Sequence, residues 1–206
     1  MEPLLPQVLS AVFEAAFSAV LKGYQEQQAS IARNAIVRQL ERGKPWAIAD
    51  DKAAAAMWRY LRAAREGTAR RNLDLIAEAL IGGATDPEFA PDEFKRQADR
   101  LEGVNQREIL VLAAFLHAVL HTPESERNLF VDQHEAAVKR AMETGLFHSE
   151  EEVDTWMASL VRTGWVAPFN GYGHSGYRAT SELLRLSNLV DFEAARDREL
   201  DGTYGP

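Results

Sequence analysis

The chain has 206 residues, of which 46% are apolar and 26% charged, a composition that suits a globular protein with one large domain or two small ones. It contains no cysteine, which excludes disulfides, thiolate metal sites and cysteine nucleophiles. The net charge of −8 is uneven, because residues 1–100 hold 14 basic and 14 acidic residues while residues 101–190 carry −5 and residues 191–206 carry −3. This acidic C-terminal half opposes nucleic-acid binding, which depends on neutralising phosphates.

The N-terminus lacks the pattern of a secretory signal, because Glu2 and two early prolines stand where a basic segment is expected. The apolar run from Val8 to Leu21 is interrupted by Glu14 and is shorter than a membrane span. Together with the absence of cysteine, these features favour a cytoplasmic protein that does not bind a membrane.

The first predicted element is a helix over residues 6–42. Pro6 suits the first helical turn, and apolar residues recur at helical spacing from Val8 to Tyr24 and beyond. The pattern fits one long helix or two helices joined near Lys22. Its apolar stripe has two main interpretations, a core helix of the same chain or a helix that forms a homodimer. A membrane-surface helix is disfavoured because basic residues on the polar face are sparse.

Further helices are predicted near 52–66, 68–81 and 92–103, so residues 1–103 form a helical region. The stretch from 59 to 71 has the strongest positive charge of the chain, with five arginines against Glu66. One interpretation is a site for phosphate or an acidic partner, since a helix that starts after Gly67 offers its N-terminus to anions. The other is a solvated helix face that pairs with local carboxylates. The candidate patch is Arg59, Arg62, Arg65, Arg70 and Arg71.

The C-terminal half is predicted to contain helices at 105–121, 128–145 and 149–163, a hairpin near 165–180 and a returning helix. Asn105 followed by Glu108 approximates a capping box at the first of these helices. Ser149 caps the third helix and is followed by an acidic first turn. The fold class predicted from these elements is mainly α with a small two-stranded β-hairpin.

This order resembles the winged helix-turn-helix superfamily over residues 105–190. The resemblance implies a winged-helix-like domain at 104–190, preceded by the helical region 1–103 and followed by an acidic tail at 191–206. It is carried by residues of the third helix, the turn into the first strand, the glycine-rich tip, the second strand and the start of the closing helix: Val153, Met157, Leu160 and Val161; Thr163-Gly164-Trp165-Val166; Asn170 to Gly176; Tyr177-Arg178-Ala179-Thr180; and Ser181-Glu182-Leu183-Leu184.

Members of this superfamily usually bind DNA with the third helix in the major groove. Here that helix starts with Glu150, Glu151 and Glu152, and Asp154 follows, which stabilises the helix dipole but repels a phosphate backbone. The one cation of the third helix is Arg162, at its far end. Direct DNA reading by this module is therefore disfavoured.

The predicted wing is rich in aromatic residues and glycine. Tyrosine and tryptophan offer a large contact area at modest entropic cost, so the wing is either a contact surface or plain core packing beside a flexible tip. The candidate contact surface is Trp165, Phe169, Tyr172, His174, Tyr177 and Arg178.

No nucleophile elbow, phosphate loop or dinucleotide motif is present, and His117 and His121 lack the glutamate of a zinc protease motif. No catalytic residue, metal or cofactor is therefore expected. The leading hypothesis is a non-enzymatic protein-interaction or regulatory factor that binds an unidentified protein through the winged-helix-like domain. The alternative is a dimeric winged-helix transcriptional regulator that binds DNA, and a metal-dependent hydrolase built on the histidines is the third.

Overall fold

The computed structural model describes residues 4–41, 51–84, 90–121, 130–171 and 174–204, with side chains described for 22–41, 55–83, 90–121, 132–170 and 175–204. The predicted fold class is confirmed, because the chain is mainly α with a small two-stranded antiparallel sheet. The described helices are α1 (Leu4–Glu41), α2 (Asp51–Arg65), α3 (Arg70–Ala84), α4 (Pro91–Glu102), α5 (Gln106–His121), α6 (Phe130–Met142), α7 (Glu150–Leu160), α8 (Ser181–Ser187) and α9 (Phe192–Leu200). The strands are β1 (Val166–Gly171) and β2 (His174–Ala179), and a 3₁₀ turn (Val161–Thr163) follows α7.

α1 is one continuous helix of 38 residues, which corresponds to a length of about 57 Å. Its C-terminal part packs on α2 and α3, where Ala32 and Ala35 are buried. The hydroxyl of Tyr60 on α2 donates to the carbonyl oxygen of Ala32 at 2.8 Å. Residues 22–27 are all exposed. Dimerisation through this helix stays a prediction, and the last residue of the predicted helix, 42, lies outside the described residues.

The core is one continuous cluster of buried apolar side chains with contributions from α1 to α9, on both sides of the predicted boundary at 103/104. α5 lies at its centre and contacts α6, α7, α8 and α9. Its eight consecutive residues from Ile109 to Leu116 are each at most 3% exposed, which explains why their sequence is almost purely apolar. Among the residues with described side chains, no single helix has both the length and the apolarity of a membrane span.

Side-chain caps define where α5 and α7 begin. The Asn105 side chain accepts the N–H of Glu108 at 3.1 Å, and the Glu108 carboxylate accepts the N–H of Asn105 at 3.0 Å. The capping box predicted from the sequence is therefore confirmed. The Ser149 hydroxyl accepts the N–H of Glu152 at 3.2 Å, as predicted for the start of α7.

The hairpin follows α7 after a sharp turn at Gly164, whose φ of 73° lies in the left-handed region that favours glycine. β1 and β2 pair antiparallel, with Val166 opposite Ala179 and Phe169 opposite Gly176. The Thr180 hydroxyl donates to the Gly164 carbonyl oxygen at 2.8 Å, which closes the base of the hairpin. The element order from α5 to α8 is the one expected for a winged-helix-like domain, and membership of that superfamily stays a prediction.

The segment 191–206, predicted as an acidic tail, contains α9. Asp191 caps this helix by accepting the N–H of Ala194 at 2.9 Å. Phe192 is buried, and the helix packs against α5. Arg198 reaches the buried carboxylate of Glu78 on α3, with 3.0 Å between Nη2 and Oε1. The described part of this segment therefore belongs to the folded core despite its negative charge.

Candidate functional site

The exposed face of α7 is acidic at its N-terminal end. Apolar residues at i, i+4 and i+7, namely Val153, Met157 and Leu160, are buried, so the other faces of the helix are left to solvent. Glu150 and Glu151 are exposed and form no ion pair with another described residue. This end of α7 therefore presents uncompensated negative charge.

Glu152 has partners within the chain. Its carboxylate accepts the N–H of His148 at 2.8 Å and pairs with Arg107 at 2.6 Å. The hydrogen bond from His148 and the positive charge of Arg107 lower the pKa of the Glu152 carboxyl. One carboxylate of the acidic turn is thus used to join α7 to α5, and the other two remain available to a partner.

Arg162, the cation that follows α7, has a side chain that is 48% exposed but turned back onto the start of α5. Its guanidinium pairs with Glu108, whose side chain is 1% exposed, with 2.9 Å between Nη2 and Oε2. It also donates to the Gly103 carbonyl oxygen at 2.8 Å. Burial alone would raise the pKa of the Glu108 carboxyl, but hydrogen bonds from Arg162, Ser159 and Asn105 outweigh it and lower that pKa. The positive charge of Arg162 is therefore compensated by Glu108 of the same chain.

A groove of about 470 Å³ separates α7 from the hairpin and is lined by Asp154, Phe169 and Tyr177 among others. His134 on α6 lies beneath it. Its Nδ1 accepts the backbone N–H of Tyr177 at 3.4 Å, and its Nε2 lies 3.5 Å from Oδ1 of Asp154. The Asp154 Oδ1 atom is buried and accepts no hydrogen bond from the described residues. Oδ1 is thus closed off towards His134, and the groove is open only to the remaining part of the Asp154 side chain, which is 47% exposed overall.

Gly176 allows the hairpin to sit this close to α6. A Cβ atom at this position would lie 3.0 Å from Cγ of His134 and 3.1 Å from Cε1 of Phe169. Both contacts are tighter than ordinary van der Waals separation, so the imidazole and the phenyl ring fill the space that a side chain would need.

The residues of the predicted wing surface divide into two groups. Phe169, Tyr177 and Arg178 are partly exposed on the hairpin. Trp165 is fully buried, and its indole N–H donates to the Gln97 side chain at 3.1 Å. Trp165 therefore belongs to the core and cannot contribute to an exposed contact surface, which corrects that part of the prediction. Tyr172 and the side chain of His174 lie outside the described residues.

Two arginines of the candidate patch point inwards. Arg59 is 8% exposed and lies between Asp99 and Glu102, at 2.6 Å from each carboxylate. Arg71 pairs with the buried Glu199 at 3.2 Å. Glu102 also accepts a hydrogen bond from the Thr68 hydroxyl at the turn before α3. The turn predicted to bind an anion thus already holds a carboxylate from the chain itself.

The other three arginines each have a partner on the surface. Arg62 pairs with Glu66 at 2.7 Å, one helical turn away. The guanidinium of Arg65 lies 5.8 Å from the ring centre of Trp58, which is 63% exposed, and that of Arg70 lies 6.0 Å from the ring of Tyr204. The five arginines are engaged separately, and their role as an anion or partner site stays a prediction.

The two histidines of α5 are engaged by neighbouring groups. His117 Nδ1 lies 3.1 Å from the Glu193 carboxylate on α9, and His121 Nδ1 lies 2.9 Å from the His117 carbonyl oxygen. The two rings stack with centroids 4.0 Å apart. In the described parts of the chain, no three histidine or acidic side chains are grouped so that they could hold a metal ion.

Local sequence patterns do not indicate that His134 and Asp154 belong to a groove. The partners of His134 at the groove, Asp154 and Tyr177, lie 20 and 43 positions away from it along the chain. Asp154 follows the acidic first turn in the sequence, and its position one turn further along α7 turns it towards the hairpin. A glycine inside the second predicted strand is the sequence signal that could have indicated a close approach here.

No protein-family model, curated protein or solved structure matches the chain.

Proposed function

We propose that this chain is a non-enzymatic protein-interaction or regulatory factor that binds its partner through the exposed face of α7 and the hairpin. The observation that carries the proposal is the charge of α7. Glu150 and Glu151 are exposed without ion pairs to other described residues, while Arg162 is committed to the buried Glu108. Such a face attracts cationic protein surfaces and repels phosphate.

The same face supports protein contact over DNA contact in a winged-helix-like domain. A helix that reads DNA places donors and cations at its N-terminal end, whereas this end of α7 places carboxylates there. Half-buried aromatic side chains on the adjacent hairpin, Phe169 and Tyr177, add the apolar area that protein interfaces use at their centre.

The proposal is tested with a photo-crosslinking amino acid at Thr155, which is exposed on α7. When this variant is expressed in the organism that produces the protein, position 155 should crosslink to one defined protein. The same amino acid at Arg185, exposed on α8, is the positional control and should not give that product. Crosslinking from Thr155 should fall when Glu150→Gln and Glu151→Gln are combined.

Two results would overturn the proposal. One is a crosslink from Thr155 to nucleic acid, supported by a salt-sensitive shift of duplex DNA in a gel. The other is a protein crosslink that persists unchanged when both glutamates are neutralised.

A further inference from the structure

The groove between α7 and the hairpin combines aromatic walls with a single carboxylate. Phe169 and Tyr177 contribute the aromatic surface, and Asp154 contributes the charge from the opposite side. Its volume of about 470 Å³ lies in the range of ligand-binding clefts. The groove can therefore accept one or more long side chains of a bound segment.

Asp154 is not fully satisfied by the chain. Its side chain is 47% exposed, and its Oδ1 atom is buried without a hydrogen bond from the described residues. The ion pair that it forms is with His134, at 3.5 Å, a contact that carries charge only when the imidazole is protonated. Because Oδ1 is buried towards His134, the exposed part of the carboxylate is what a donor in the groove can reach, and no arginine or lysine of the described residues pairs with it.

The charges around the groove favour a positively charged donor. Glu150 and Glu151 lie one turn before Asp154 on the same helix. The hairpin contributes Arg178, which by the strand register lies on the same face as Phe169 and on the opposite face from Tyr177, so one cation stands beside the phenyl wall of the groove. Arg162 is held by Glu108. A cationic group entering from the α7 side thus meets three carboxylates.

We infer that this groove binds a lysine- or arginine-bearing segment of a partner protein, with the cation at Asp154 and the aliphatic stem against Phe169 and Tyr177. Lysine and arginine carry apolar stems that pack on aromatic surfaces while the charged end stays polar. Aromatic rings also attract cations over their faces. The inference rests on the proposed function and specifies the chemistry of the partner.

The direct test uses two fluorescently labelled peptides of equal length, one with leucine alternating with lysine and arginine, the other with leucine alternating with glutamate. Fluorescence anisotropy with the full chain at low salt should show binding of the basic peptide alone. Asp154→Asn should weaken that binding about fivefold, the equivalent of one exposed charge pair. Phe169→Leu should also weaken it, because the stem loses its aromatic wall.

The matched control is Glu26→Gln, which removes one exposed carboxylate from α1 and should leave peptide affinity unchanged. Equal binding of both peptides, or wild-type affinity in Asp154→Asn with an unchanged circular dichroism spectrum, would overturn the inference. Binding of duplex DNA that competes with the basic peptide would overturn it too.

The two proposals fail in different ways. A protein crosslink from Thr155 that depends on Glu150 and Glu151 but survives Asp154→Asn would leave the proposed function standing and remove the groove as its ligand site. Selective peptide binding at Asp154 without any protein crosslink from Thr155 would keep the groove as a ligand site and overturn the proposed function.

Discussion

Glu108 has two roles at the N-terminus of α5. It completes the capping box with Asn105, and it neutralises Arg162 from a position that is almost fully buried. The capping role follows from local spacing in the sequence. The ion pair joins residues 54 positions apart, so only the packing of α7 on α5 brings it about.

We expect Glu108→Gln to lower the free energy of unfolding at pH 7 by about 1–3 kcal/mol, because hydrogen bonds to a buried charged group are lost. The folded-state pKa of Glu108 is lowered, so its stabilising effect is present above the unfolded pKa of about 4.3 and disappears as the pH falls through the folded value. The difference between wild type and variant should therefore shrink below about pH 4. Urea denaturation at several pH values measures this difference in the free energy of unfolding.

Glu150→Gln is the matched control for this prediction, because the same charge is removed from an exposed position of α7. It should change stability by no more than about 1 kcal/mol, the value of one charge at a helix terminus. A loss in Glu108→Gln that stays constant down to pH 3 would show that the charge of Glu108 does not stabilise the fold.

For single residues, the sequence predicts the contacts that form between neighbours along the chain. The caps at Asn105 and Ser149 are local patterns and are confirmed. The partners of Arg59 and Arg71 lie 40 to 128 positions away, and no spacing rule indicates such contacts. Charge density along the chain was therefore a poor guide to charge on the surface.

Among the elements, the hairpin packs on α5, α6 and α7, and its approach to α6 is especially tight at one position. α6 approaches β2 through His134, whose ring lies over Gly176 and whose Nδ1 accepts the Tyr177 N–H. The alternation of the strand sequence predicts the hairpin, but not the helix that covers it.

Gly176→Ala should destabilise the fold by about 1–3 kcal/mol, the usual cost of an added methyl group in a packed site. The new Cβ would lie 3.0 Å from the His134 ring, so the imidazole or the hairpin must shift by a few tenths of an ångström. Urea denaturation gives the stability, and the NMR shifts of the His134 ring report the displacement. Ser175→Ala, at the exposed neighbouring position, should change stability by less than about 0.5 kcal/mol. Equal stability of the two variants would show that the hairpin adapts freely.

The charged composition of α9 predicts a solvated tail, although the helix belongs to the folded core. The ten residues from its N-cap Asp191 to Leu200 are rich in charge, which is typical of a solvated tail. Three positions of the helix, Phe192, Ala195 and Glu199, are nevertheless buried. A period of three to four residues between Phe192 and Glu199 is present in the sequence, but a glutamate at a buried position hides it.

In the whole molecule, the α1–α4 helices pack mainly on one another, and so do α5–α9. Specific bonds join the two groups. Gln97 accepts the indole N–H of Trp165 at 3.1 Å, and the Asn72 amide donates to the Val104 carbonyl oxygen at 2.7 Å. The sequence predicted the division near residue 103 from helix order, whereas the bonds that cross it depend on tertiary packing.

We expect the chain to unfold as one cooperative unit, because the buried cluster is continuous across this division and Arg198 of α9 contacts the buried Glu78 of α3. Native-state hydrogen exchange should give the most protected amides of α3 and α5 the same free energy of opening. Arg198→Met removes one donor from the buried Glu78 carboxylate and should lower both values together, by about 3 kcal/mol. Arg185→Met, which removes an exposed cation from α8, should lower neither by more than about 0.5 kcal/mol. If Arg198→Met lowered the value for one helix only, the two groups would be separate folding units, and the ion pair would be a contact between them rather than part of a common core.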